Sequence, residues 1–558
     1  MRKIVFLFSF FLLVKFSFSQ ELPSQAPMNP EFLDYISNIR NGKVSTDSHA
    51  HHLGRIPLPV KPDFSNYKPG SEVKNKSFDP SYDLRDEGGL TSVKNQGNCG
   101  SCWTFATMAN IESVWKIDGY GTYDLSEQNL HTCNNDFEFG HCNGGNFYMS
   151  TAYMAKGIGP VTEADDPYQA DSDSSCSSGL TPVRYVTEAI FIPTNETDIK
   201  QAILDHGALY TSMYWLSSAY NSGDYTYYYD GPGDGSDGGG GHAVTIVGWD
   251  DKKSTASSND GAWIIKNSWG SYWGESGYFY LSYDDVEAND FVACFTQSID
   301  YDSQRHIFGY DDYGWVSSYG YSDGGTDYGL VKFTADDNYT VSKIGTYAVG
   351  AGVNLTVTVY DDYSSGSLSN QLATASKSCT KPGYYTLDLS SSFNISSGDD
   401  FYVKVKYENG GSHPVPVETN YSGYLTNATI ESGKYWLSTS GGDGSWTAVG
   451  TGTSYEVDMC IKAYSITGTG TPSSNKFTGA DEVQIYPNPA NDQVAIECDK
   501  SIKNITLLNL QGQIITVKEV RSAEAIVNTD QYAEGIYILK IETVDNQTIN
   551  KRLVIKRD

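Results

Sequence analysis

Positive charge is scarce in this 558-residue chain: 38 Lys and Arg stand against 68 Asp and Glu, for a formal net charge of −30. Nucleic acid and anionic membrane surfaces are therefore excluded as partners, because both would be repelled. Long apolar runs are equally scarce. Beyond the N-terminus no segment stays apolar for eighteen residues, so no later transmembrane helix is expected. No acidic loop has EF-type calcium spacing. Histidine is sparse, with nine in all, which confines general bases to a few positions. The nine cysteines are an odd number, so at least one is unpaired within a monomer. What is abundant is Gly (55) and Tyr (42), which suits β-rich, loop-rich extracellular modules. The length exceeds what one core supports, and several domains are expected.

Arg2 and Lys3 precede an apolar run from Ile4 to Phe18, and the small residues Ser17 and Ser19 precede Gln20. Residues 1–19 therefore read as a secretory signal peptide. No cysteine follows the expected cleavage point, which argues against a lipoprotein. Export permits disulfides. Residues 20–78 are polar, Pro-rich and weakly patterned, and read as a loose propeptide with one short helix from Asn29 to Arg40. Its His49, His51 and His52 have metal-ligand potential by spacing alone.

Compact patterning follows over residues 79–300, helical at first and β-rich later, which is an α+β arrangement. Residues 301–465 alternate as strands, as in Val353 to Tyr360 and Phe401 to Tyr407, and predict a β-sandwich in which Cys379 and Cys460 are candidates to pair. Residues 466–479 are a Thr/Gly/Pro/Ser-rich linker. Residues 480–558 form a last small β module with strands at Val494–Ile496, Ile505–Leu510, Gly535–Ile541 and Arg552–Ile555.

The chemistry concentrates in Gln96-Gly97-Asn98-Cys99-Gly100-Ser101-Cys102-Trp103. The residues after it read as a helix with Phe105, Met108 and Ile111 on one face. Cys102 thus sits at a helix N-terminus, where the dipole and unsatisfied N–H groups favour a thiolate, the form a cysteine nucleophile needs. A zinc half-site or redox pair are the alternatives for Cys99-x-x-Cys102. Zinc needs a second pair at ligand spacing, and Cys133 and Cys142 are too far apart. A redox pair needs a βαβ context, for which Leu90 to Asn95 is a poor strand. As base, His242 follows the Gly238–Gly241 loop and opens a strand, whereas His206 reads as a helix end. Asn267, in Lys266-Asn267-Ser268-Trp269-Gly270, can orient the base, with Trp269 covering the bond. Gln96 and the backbone N–H of Cys102 can serve a developing oxyanion.

These residues, with Leu125-Ser126-Glu127-Gln128-Asn129-Leu130 before Cys133, Cys142-Asn143-Gly144-Gly145, and Trp273-Gly274, give residues 79–300 a resemblance to papain-family cysteine proteases. The resemblance implies a helical subdomain beside a β-barrel-like one. It implies Cys102 as nucleophile, His242 as base and acid, Asn267 as orienter and Gln96 as oxyanion donor. It further implies disulfides Cys99–Cys142 and Cys133–Cys176, and a substrate-binding set of Gly144, Gly145, Ser212, Gly240, Gly241 and Trp269. Small residues at Ser212 and Gly240 imply a roomy pocket for the second residue before the scissile bond. No metal or other cofactor is implied. Two departures stand out: Asn146-Phe147 replace the usual Pro and aromatic, and Gly241 stands where an Asp or Asn is common. There is no His-rich insertion after Gly145, so endopeptidase action is expected.

Residues 301–465 resemble the lectin-like domain that follows bacterial papain-like proteases, through Leu330-Val331-Lys332-Phe333-Thr334. Tyr313, Trp315, Tyr319, Tyr321 and Trp436 are read as core or interface in preference to a glycan-stacking surface. Residues 480–558 resemble the C-terminal sorting domain of type IX secretion, through Tyr486-Pro487-Asn488-Pro489-Ala490, Leu508-Asn509-Leu510-Gln511-Gly512 and Lys551 to Lys556. This implies the type IX machinery as a partner, with passage through the periplasm and outer membrane of a Gram-negative bacterium to the outside or the cell surface. The expectation is a secreted endopeptidase acting on protein or peptide substrates. The rival is a cell-surface protein that binds glycan or protein, its protease module serving only maturation. A peptide ligase would use the same residues.

Overall fold

The computed structural model describes residues 22–40, 53–70, 77–134, 137, 142–171, 174–288, 290–321, 325–468, 483–510, 512–544 and 547–557. The signal peptide, the His49, His51 and His52 cluster and most of the linker lie outside the described residues.

The first globular domain is organised around the helix Cys102–Ile117, longer than the sequence suggests and buried along almost its whole length. Trp103, Met108, Ile111 and Trp115 put large side chains into the surrounding core, and no face is left for water. Two shorter helices flank it. Ser126 caps Glu127–Thr132 by accepting the Asn129 N–H at 3.0 Å. Asn146 caps Phe147–Ala155 by accepting from the N–H groups of Tyr148 (3.1 Å) and Met149 (3.2 Å). The departure at Asn146 is thus a helix cap, which satisfies two otherwise orphan donors. His131 lies in the first of these helices.

Antiparallel strands complete the domain in the order Arg184–Phe191, Val292–Asp300, Leu209–Trp215, Gly240–Asp250, Ala262–Lys266 and Tyr278–Ser282. The sheet does not stop at the domain edge. Gly383–Ile395 of the following domain pairs with Arg184–Phe191, in register Gly383↔Ile190. A Cβ at Gly383 would lie 2.1 Å from the Ala189 carbonyl oxygen, so the joint requires glycine. From there the sheet continues through Tyr339–Ala348 and Ile461–Thr467. A second sheet, containing Val353–Ser364, Thr326–Thr334 and Asp400–Glu408, supplies the other layer of the sandwich. Val353, Leu355, Val357 and Val359 are all buried, as their alternation predicts.

Trp315 and Tyr321 are core residues, and Trp315 stacks on Tyr148 of the first domain at 4.7 Å. Cys379 and Cys460 do not pair. Both are buried free thiols, behaving as small apolar side chains in the sandwich. The C-terminal module has its own core, built on Val494, Ile496, Ile505, Leu507, Leu539 and Ile541. The two expected strands at Val494–Ile496 and Ile505–Leu510 belong to a single strand, Gln493–Asn509, whose pairing is interrupted by register shifts.

The segment ahead of residue 79 is not loose where it is described. The helix Pro30–Arg40 buries Phe32 against Tyr421 and Tyr424 of the sandwich. Leu53 to Val60 then runs extended, with Ile56, Leu58 and Val60 buried. Asp63 hydrogen-bonds the sandwich through Val349 and Ala351. The expectation failed because this segment meets slots in two other domains, so its contacts follow no internal periodicity.

Candidate active site

Cys102 is the first residue of the central helix, fully buried, and its Sγ accepts the backbone N–H of Ala243 at 3.4 Å. His242 enters from the strand Gly240–Asp250, where it faces Met213 in register, and is also fully buried. Asn267 follows the strand Ala262–Lys266 and is anchored by its own N–H to the Gly277 carbonyl at 3.0 Å. Its Oδ1 lies 2.9 Å from His242 Nε2 and accepts the Ser268 N–H at 2.8 Å. The Ser268 donor fixes which amide atom is the oxygen, so Nε2 carries the proton toward Asn267. The Trp269 ring stacks on the imidazole at 4.7 Å and 21°, and Trp215 and Trp273 pack edge-on against Trp269. This aromatic wall keeps water from the His–Asn hydrogen bond.

Gln96 is buried in the loop before the helix. Its Nε2 donates to the Cys99 carbonyl (2.8 Å), its Oε1 accepts from Ser268 Oγ (2.6 Å), and its N–H donates to the Ser268 carbonyl (2.8 Å). Tyr168 adds a hydrogen bond to the Gln96 carbonyl at 2.8 Å and touches Ser101 Oγ. Both implied disulfides are present, Cys99–Cys142 and Cys133–Cys176. Each spans 43 residues in sequence, worth at most about 4 kcal/mol in the chain-entropy account. The first ties the loop ahead of Cys102 to the segment holding Gly144-Gly145. A Cβ at Gly145 would sit 2.3 Å from the Trp103 indole, so only glycine lets this backbone line the cleft.

The cleft is occupied. Gly54 presents its carbonyl to Gly145 N–H at 2.9 Å, Ile56 N–H donates to the Gly145 carbonyl at 2.9 Å, and Arg55 N–H donates to the Gly241 carbonyl at 3.0 Å. Arg55 and Gly145 pair in parallel. A Cβ on Gly54 would fall 1.9 Å from the Gly100 carbonyl oxygen, so this is a second position that only glycine fits. The Gly54 carbonyl turns to Gly145.

Burial under this segment pushes the Cys102 thiol up to about 11, although the N–H groups of Ala243, Gly54 and Trp103 pull the other way. The helix start predicted a thiolate. In this occupied state desolvation outweighs the helix terminus.

Of the remaining implied substrate residues, Ser212 lines a cavity of about 100 Å³ together with Phe147, Tyr210, Phe291, Ile56 and Arg55. Gly240 faces Leu53, and Gly241 lies against the Arg55 side chain. Arg55 thus forms part of the wall of this pocket. Sequence reading missed Gly54, Arg55, Tyr168 and Glu287. The buried run Ile56-Pro57-Leu58-Pro59-Val60 is the signal that marks an extended, docked segment; the others carry no local pattern.

Residues 78–294 match the family model for papain family cysteine protease, residues 307–465 the model for lectin like domain, and residues 484–556 the model for secretion system C-terminal sorting domain. Cysteine proteinase 1 of Dictyostelium discoideum is 34% identical over 220 residues, 37% of this chain and 61% of that protein. Ananain of Ananas comosus is 33% identical over 216 residues, 38% of this chain and 58% of that protein. The chain thus spans about six tenths of the length of these two relatives. The solved structure of the cysteine protease and lectin-like domains of Cwp84, a surface layer associated protein of Clostridium difficile, aligns over 80% of this chain and 98% of that one, with a TM-score of 0.66 and 22% identity. The architecture is accordingly a papain-like protease fold, a lectin-like domain and a C-terminal sorting domain, and the sorting domain indicates a secreted or cell-surface protein.

Proposed function

We propose that this chain is the precursor of a secreted papain-like cysteine endopeptidase, held inactive by its own residues 53–56. The observation that carries the reading is the convergence on one buried cleft of Cys102 at a helix start and His242 held through Nε2 by Asn267. In the reaction, His242 Nδ1 takes the thiol proton and the Cys102 thiolate attacks a peptide carbonyl carbon. The oxyanion is met by the Cys102 N–H and by the second amide hydrogen of Gln96. The C–N bond breaks as the imidazolium protonates the leaving amine, which leaves a thioester. Water, deprotonated by His242, attacks the thioester carbonyl, and the collapse releases the acid and regenerates the thiol. Asn267 keeps the ring in place throughout, and Gly145 pairs with substrate backbone through its N–H and C=O, as strand addition requires.

Residues 20–78 serve as the propeptide, and activation consists of cutting ahead of residue 79 and release of the cleft segment. The sorting domain directs the precursor to the type IX machinery, and protein or peptide chains are the substrates. The test is degradation of a denatured protein by the full chain, matured by limited proteolysis ahead of residue 79, against the same preparation of Cys102→Ser. Loss of roughly 10⁴-fold or more is expected, as for removal of a nucleophile from a cooperating set. Equal degradation by both would discard the reading.

A further inference from the structure

The chain ahead of residue 79 does more than enter the cleft. It also covers the lectin-like domain. Ser24 and Gln25 pair antiparallel with Gly320 and Tyr319, at the outer edge of a small sheet that continues through Val415–Glu418 and Asp458–Met459. The Ala26 N–H extends this pairing to the Ser318 carbonyl at 2.8 Å, and Gln25 Nε2 donates to Ser317 Oγ at 2.9 Å. Without residues 24–26, the strand Ser317–Gly320 is the open edge of that sheet. An open edge accepts any extended chain through its backbone groups.

An aromatic shelf receives the helix that follows. Phe32 is fully buried, its ring 5.5 Å from Tyr421 and 5.1 Å from Tyr424. Phe137 of the protease domain packs on Tyr424 at 5.0 Å and on Tyr313 at 5.3 Å, so the shelf straddles both domains. It also adjoins the cleft. Asn29 donates through Nδ2 to the Leu58 carbonyl and through its N–H to the Pro59 carbonyl, both at 2.9 Å. Arg55 of the cleft segment reaches Glu31 of the helix Pro30–Arg40 at 2.5 Å and Glu287 of the protease domain at 3.8 Å. Edge, shelf and cleft are neighbours, and residues of one segment cover all three.

Resting on the reading of the chain as a protease activated ahead of residue 79, we infer that the surface vacated by residues 22–40 becomes an exosite for unfolded substrate proteins. One stretch of substrate adds as a strand to Ser317–Gly320 and lays an aromatic side chain on Tyr421 and Tyr424. Another stretch of the same molecule lies in the cleft. The groups seated on the exosite in the precursor, Ser24, Gln25, Ala26 and Phe32, are uncharged. The occupant is therefore an extended, aromatic-bearing peptide segment, recognised by backbone and ring and not by charge. A folded protein has its backbone already paired and cannot add a strand. Two points of attachment on one molecule raise the local concentration of the scissile bond at Cys102, and a short peptide that fills only the cleft gains nothing from the second.

The experiment uses the full chain matured ahead of residue 79, with the departure of residues 22–40 checked by native mass analysis. Two substrates are compared in each preparation: S-carboxymethylated lysozyme, an unfolded protein, and a capped dipeptidyl aminocoumarin. The readout is the ratio of kcat/KM for the unfolded protein to that for the dipeptide. A synthetic peptide of residues 22–40, which lacks the cleft residues 53–56, is expected to lower this ratio roughly tenfold. Tyr421→Ala is expected to lower it roughly threefold or more. Because the ratio is taken within one preparation, partial loss of folded enzyme does not mimic it. A ratio unmoved by the peptide or by Tyr421→Ala would overturn the inference and leave the protease reading standing. So would residues 22–40 staying bound to the matured chain, because the surface is then never vacated. Cleavage of neither substrate by the matured wild type would overturn both.

Discussion

Two stretches of chain meet over Cys102, and they are held by different means. The wall, Gln96 to Trp103, is fixed on every side: a disulfide from Cys99 to Cys142, side-chain hydrogen bonds from Gln96 to Cys99 and Ser268, and the start of a buried helix. The occupant, Leu53 to Ile56, is held by three backbone hydrogen bonds and the ion pairs of one arginine. The occupant makes the kind of backbone contacts a peptide makes, with Gly145 and Gly241. On the proposed reading, inhibition needs no distortion of the catalytic residues, because the His242–Asn267 pair is already assembled beneath the occupant. The proposed function asks for a rigid wall to place Cys102 and a removable occupant, and the two sets of contacts match those needs.

The contrast is broken most severely by damaging the machinery under the occupant. His242→Ala removes the proton carrier and is expected to lower kcat of the matured enzyme by roughly 10²–10⁴-fold, with the precursor still folded as judged by its thermal transition. A kcat within a factor of two of wild type would remove His242 from the mechanism.

Next in size is the wall's staple. Replacing Cys99 and Cys142 together by Ala is expected to destabilise the protein by about 2–4 kcal/mol in denaturant unfolding, whereas the same pair of changes leaves the occupant's own contacts in place. An unchanged midpoint would mean that the loop is rigid without its covalent tie.

The occupant is the easier side to disturb. Gly54→Ala drives a methyl group into the Gly100 carbonyl, with 1.9 Å where contact distance is needed, so the segment has to lift. Iodoacetamide labelling of Cys102 in the uncut precursor is expected to quicken by roughly tenfold or more, in line with an overpacking cost of about 1–3 kcal/mol. No change in labelling would show that the segment does not limit access to the sulfur.

The wall was readable because its chemistry is local or nearly so. Cys102, its helix, the Gly-rich approach to His242 and the Trp269 beside Asn267 each announce a role through neighbours in sequence, and their order joins them. The occupant was not readable in this way. Arg55 and Glu287 acquire meaning only when the chain from the N-terminal segment and the end of the protease domain are brought together, and neither lies in a motif. The same reason explains the sandwich cysteines. Cys379 and Cys460 share a domain and a compartment that permits disulfides, but pairing depends on geometry that composition does not carry. Asn146, a departure from the family pattern, is explained by the helix it caps, which the sequence left unmarked. The thiol itself shows the limit of a local argument: the helix start favours a thiolate, and a segment distant in sequence reverses that preference by burying it.

Labelling of Cys102 as a function of pH is the direct test of this account. Mass analysis of the Cys102 peptide separates it from the four other free cysteines, Cys294, Cys379, Cys460 and Cys498. The thiolate is the reactive form, so in the precursor the rate should be low at neutral pH and climb with pH up to about 11, where burial has moved the thiol. After cutting ahead of residue 79, the rate at pH 7 should rise roughly tenfold or more and become nearly independent of pH above neutrality, because relief of burial restores the helix-start preference for thiolate. The same slow, pH-driven profile before and after the cut would contradict the account: the occupant would then not be what keeps Cys102 protonated.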